Sequence, residues 1–79
     1  MNRQALRQLK TRAQEAEKAI SVKEAEIAEL EAQMADPALY SDAQKTADVQ
    51  RTYQEAQQEL QTLYEQWEAA EAALSQEEA

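Results

Sequence analysis

The chain of 79 residues contains no glycine, and Pro37 is its only proline. Pro37 is therefore the one strong interruption in a sequence that otherwise runs helical. The proline ring pushes Asp36 out of helical ψ, so a first helix must stop near Met34 or Ala35. Asp36 is then placed to cap a short turn that has Pro37 at its first position. A second helix start follows at once: Ser41 with Gln44 reads as a capping box, and Asp42 puts negative charge in the first turn. Without glycine, the tight hairpins of a β-fold lack residues comfortable at positive φ. Abundant Ala, Glu, Gln and Leu favour helix instead. The spacing predicts helix 1 over about 2–35, a connector at 36–41 and helix 2 over about 42–76.

Both helical segments carry the 3-4 spacing of a heptad seam. In helix 1 the seam is Leu6, Leu9, Ala13, Ala16, Ile20, Lys23, Ile27, Leu30 and Met34. In helix 2 it is Thr46, Val49, Tyr53, Ala56, Leu60, Leu63, Trp67, Ala70 and Leu74. A short connector makes neighbouring helices antiparallel. The expected fold class is all-α: a single two-helix antiparallel coiled-coil hairpin, about 50 Å long at 1.5 Å rise per residue. Of the 34 hydrophobic residues 17 are alanine, so the core must be narrow. A globule this short would struggle to bury enough surface.

Register follows from folding the seams so that paired residue numbers sum to 83. Met34 then meets Val49, Ile20 meets Leu63, Ala13 meets Ala70, and Leu9 meets Leu74. Trp67, the largest side chain, falls opposite the small Ala16, the alternation of sizes that a packed core needs. Lys23 is the misfit, opposite Leu60. Its stem can pack while its ammonium reaches solvent. Glu26 and Glu59 should face each other beside it, and Lys23 is in reach of both. A register-setting role is expected for it, as for other single polar residues in coiled-coil seams.

The net charge of −8 hides an asymmetry. Residues 1–14 hold Arg3, Arg7, Lys10 and Arg12 and no acid. Residues 55–79 hold only acids: Glu55, Glu59, Glu65, Glu68, Glu71, Glu77 and Glu78. Both ends oppose their own helix dipoles, whereas antiparallel pairing lays the basic start along the acidic end. Lys10 should face Glu71, and Arg3 should face Glu78. The four cations have two readings: intramolecular pairing with solvation, or contact with nucleic-acid phosphates. Exposed pairs contribute only about 0–1 kcal/mol each. Together they still favour the hairpin, expected to be monomeric, over a parallel dimer.

The chemistry of the chain is limited by what it lacks. With no Cys and no His there is no disulfide, no thiolate metal site and no imidazole base. With no glycine there is no phosphate-cradling loop. No apolar run reaches the roughly 20 residues that span a bilayer, and no signal-peptide pattern is present. A cytoplasmic protein with no membrane contact, no catalytic residues and no cofactor of its own is expected. Among the aromatics, Tyr53 and Trp67 read as core and Tyr64 as cover for the seam's edge. Leu39 and Tyr40 stand at the hairpin tip, where they either fold back over Met34 and Val49 or meet a partner.

The stretch Met34-Ala35-Asp36-Pro37-Ala38-Leu39-Tyr40, followed by Leu63-Tyr64-Glu65-Gln66-Trp67-Glu68, resembles the C-terminal domain of ABC-F proteins. That family pairs a "DP-x-LY/F" connector with a second helix ending in "Y-x-x-W-E-x-L". The likeness covers about residues 20–74. It departs at the last position of that ending, where a bulky residue is usual, and no "LSYKE"-like linker run occurs. By this resemblance Asp36, Pro37, Leu39, Tyr40, Tyr64, Trp67 and Glu68 mark the family and shape the hairpin. The resemblance implies an accessory module of a soluble protein with two ATPase domains, active in translation on the ribosome, some members binding DNA. It places ATP and Mg in the parent protein, outside this segment, and implies the parent's ATPase domains, ribosome or nucleic acid as partners. The N-terminal coiled coil of peptide chain release factors is similar too, with an acidic helix and "DP-x-L", but it lacks the "Y-x-x-W-E" ending. A purely structural or oligomerising coiled coil is the contrasting class.

Overall fold

The computed structural model describes residues 2–78, with side chains through residue 77. Helix α1 runs Arg3–Ala35 and helix α2 runs Ala43–Glu78, with a 3-10 helix at Pro37–Ser41 between them. The two long helices pack along their length in a hairpin with extents of 58 × 17 × 14 Å. α2 continues two residues past the expected 76.

The helix ends follow from local chemistry. Asn2 caps α1, its side-chain oxygen accepting from the Ala5 amide at 2.8 Å. At the far end Asp36 is extended (φ −82°, ψ 117°), as a residue before proline must be. The Asp36 carboxylate accepts from the Ala38 amide at 2.9 Å, which starts the 3-10 helix on Pro37.

The expected capping box does not form. The 3-10 helix carries on through Ser41, whose hydroxyl donates back to the Ala38 carbonyl. Asp42 is the first residue with extended backbone (φ −119°, ψ 103°), and its carboxylate accepts from the Lys45 amide at 3.0 Å. A carboxylate there satisfies an orphan amide and complements the helix dipole. Gln44, released from that role, donates to Asp48 instead.

Every seam residue named from the spacing is buried or half-buried. The tightest positions include Ala13 (3% exposed) and Ala56 (4%), where a methyl group lets the backbones approach. No described side chain is completely enclosed, because two helices leave each seam residue an open flank. Ala13, Ala70 and Leu74 form one cluster with Leu6 and Leu9 against it, as the expected register requires. Cross-helix bonds from Trp67 to Glu17 and from Tyr53 to Glu31 each lie one residue from that register. A heptad slip would have displaced them by a full two turns.

Candidate functional site

The two flanks of the seam differ in chemistry. On one flank Glu17, Glu24 and Glu31 recur at heptad spacing along α1. Each accepts a hydrogen bond from an aromatic side chain of α2. The Trp67 indole N–H donates to Glu17 at 3.1 Å, the Tyr64 hydroxyl to Glu24 at 2.9 Å, and the Tyr53 hydroxyl to Glu31 at 3.3 Å. Gln57 adds a bond to the Tyr53 oxygen. These aromatics lay their rings along the seam and turn their polar tips outward, as amphipathic rings do at a half-wet edge. The bond to Glu24 raises the Tyr64 pKa above the ordinary phenol value, with desolvation adding to it.

Tyr64 and Trp67 are thus cross-helix fasteners. The sequence reading assigned Trp67 and Tyr53 to the core from their seam positions and missed their acceptors. The available signal was the glutamate repeat at 17, 24 and 31. Glu68, next to Trp67, is exposed and makes no polar contact among the described residues.

In mid-seam the Lys23 ammonium bridges Glu26 of its own helix, at 2.8 Å, and Glu59 of α2. Its side chain is only 18% exposed, while the carboxylates stand in solvent. The hydrogen bond to Glu26, then that to Glu59, raises the lysine pKa against a smaller opposing effect of desolvation. The expected neutralisation of the facing glutamates is present as geometry.

At the tip Leu39 is 6% exposed. It turns inward, so it is not offered to a partner, and the tip contact expected of Leu39 with Tyr40 narrows to Tyr40. The Tyr40 ring is 54% exposed while its hydroxyl donates to the Met34 carbonyl at 2.6 Å. Thr46 ties the start of α2 to the Leu39 carbonyl. Tyr40 is therefore a fixed exposed ring.

At the opposite end Arg3, Arg7, Lys10 and Arg12 are all exposed on the first three turns of α1. The expected Lys10–Glu71 ion pair is not made. Among the described residues none of the four cations joins an ion pair; the pairs are those of Lys23 and Arg51–Asp48. The expected partner of Arg3, Glu78, has its side chain outside the described residues. Long side chains facing water gain too little from pairing to be held together. Arg3, Arg7 and Lys10 share one face of α1 at i, i+4 and i+7, while Arg12 lies across the helix and lines a hollow with Leu9 and Glu15.

Among the described residues no three His, Cys, Asp or Glu side chains converge to hold a metal ion. No described helix is long and apolar enough to cross a membrane.

The family model described as "ABC transporter C-terminal domain" matches residues 4–72. No curated protein and no solved structure matches the chain.

Proposed function

The chain belongs to the ABC transporter C-terminal domain family, and from that membership we propose that it is the accessory coiled-coil module of a soluble ABC-F type ATPase acting in translation. In this reading the parent's ATPase domains bind ATP and Mg, and the hairpin makes contacts without catalysing a reaction. The observation that carries it is the exposed cluster of Arg3, Arg7, Lys10 and Arg12, none of which joins an ion pair among the described residues. Cations set against their own helix dipole, with no carboxylate partner among the described residues, suit contact with phosphates of ribosomal RNA or another nucleic acid. The acidic remainder, with net charge −8 overall, would repel a polyanion and so confine contact to this end.

Fluorescence anisotropy with a labelled RNA duplex tests the reading. For four phosphate contacts the affinity should fall roughly a hundredfold between about 50 and 200 mM salt. Replacing Arg3, Arg7, Lys10 and Arg12 together by Gln should abolish low-salt binding while leaving helicity intact, because it also removes charge that opposes the helix dipole. Absence of binding at low salt, or equal binding by the substituted chain, overturns the assignment.

A further inference from the structure

The flank opposite the aromatic–glutamate bonds is open. Two hollows of about 820 and 550 Å³ share Glu15, Ala19, Leu63 and Gln66 and so form one continuous groove between the helices. Its floor is apolar: Leu9, Ala19, Val22, Leu63, Ala69 and Ala73. Val22 is 53% exposed. The other exposed large hydrophobics, Tyr40 and Tyr64, each engage their hydroxyl in a hydrogen bond. Val22 has no polar tip and lies in the groove.

The rim changes along the groove: Arg12 stands beside Glu15 at the smaller hollow, and the acidic excess lies at the larger one. Around the larger hollow four glutamates, Glu15, Glu26, Glu55 and Glu59, stand against Lys18 and Lys23. Lys23 is already engaged by two of them. Along α1 the groove reaches from Leu9 to Glu26, about 25 Å at helical rise. That length accommodates about five turns of a third helix.

We propose that this groove docks an amphipathic helix of another protein, one with an aliphatic stripe flanked by Lys and Arg. Apolar anchors of that helix at i, i+3, i+4 and i+7 lie over Val22, Leu63 and the alanines. Its flanking cations meet the glutamate rim, which sets orientation and excludes acidic helices. A second copy of this chain is a poor occupant because it brings its own charge of −8. The proposal shares one residue with the nucleic-acid reading, since Arg12 lines the smaller hollow; the test uses peptides and no nucleic acid, so the two readings can fail separately.

Three synthetic helices of about 18 residues test it: a Leu stripe flanked by Lys, the same stripe flanked by Glu, and the Lys peptide with its stripe scrambled. Anisotropy at physiological salt should give saturable binding for the first and at least about tenfold weaker binding for the other two. Val22→Lys with Ala69→Lys should weaken the first by about tenfold. The charge-matched pair Gln50→Lys with Gln54→Lys, away from the groove, should change it less than threefold. Circular dichroism confirms that both variants stay folded. Equal binding of the Lys peptide and its scrambled form, or equal losses from the two variants, reduces the effect to bulk charge and overturns the proposal. So does sedimentation showing a micromolar dimer that Val22→Lys with Ala69→Lys dissociates, because the groove would then belong to a second copy.

Discussion

The Trp67 indole N–H donates to Glu17 across 50 positions of sequence, at 3.1 Å. The bond lands on the residue next to Ala16, the small partner that the seam register assigns to the ring. Two contributions can therefore be separated. Trp67→Phe keeps most of the ring and removes the donor; it should cost about 0.5–1.5 kcal/mol. Trp67→Ala also removes the half-buried ring and should cost about 2–3 kcal/mol, below the range for a fully buried aromatic. Urea unfolding followed by circular dichroism gives both values. Equal losses would mean that the bond, and not the ring, holds the site.

Lys23 offers a second measurement. Replacing it by Leu adds apolar seam area but leaves Glu26 and Glu59 facing each other. The melting temperature should rise, most clearly at about 1 M salt where like-charge repulsion is screened within about 3 Å. The transition should broaden as shifted registers become competitive. A clear fall in melting temperature at high salt would falsify the register-setting role.

Alkaline pH should destabilise the hairpin through two groups. Tyr64 and Lys23 both have folded pKa values raised by their glutamate partners. Groups that hold protons more tightly when folded stabilise fully below their unfolded values, near about pH 10, and lose that contribution as pH rises through the folded ones. The melting temperature should be flat from about pH 7 to 9 and decline above pH 10. Tyr64→Phe should shallow the decline, and an unchanged profile would remove Tyr64 from this account.

The start of α2 discriminates two caps. Asp42→Ala should cost about 1 kcal/mol, while Ser41→Ala should cost only a few tenths. For a domain of this size a loss of 1 kcal/mol corresponds to about 4–8 °C in melting temperature. The reverse order would restore the capping box read from Ser41 and Gln44.

Sedimentation equilibrium checks the oligomeric state. A hairpin that satisfies its own seam should remain monomeric at micromolar concentration, and a dimer would favour the oligomerising alternative.

The seam was legible because its residues obey one period, and the short connector lets an antiparallel hairpin bury Ile20, Ile27, Val49 and Leu74 within one chain. The break was legible because Pro37 acts on its neighbour through sterics alone. The cap was not, since Ser41 and Asp42 both carry acceptors. The choice between them depended on how far the 3-10 helix ran, which Leu39 burial and the Tyr40–Met34 bond help to fix. The Lys10–Glu71 pair failed for a different reason. Facing positions permit such a pair, but exposed charges in water do not enforce it. The fasteners on Glu17, Glu24 and Glu31 went unread because a heptad of glutamates looks like a solvated face until the donors opposite are counted.

The cross-chain bonds span 6 residues at Tyr40–Met34 and 7 at Thr46–Leu39, then 22 at Tyr53–Glu31, 40 at Tyr64–Glu24 and 50 at Trp67–Glu17. Each closure shortens the loop that the next one must close, so the cheapest order of assembly begins at the proline turn and proceeds outward like a zip. Speed and persistence are then governed at different places: changes around Asp36 and Tyr40 act on how fast the chain folds, and changes around Trp67 act on how long it stays folded.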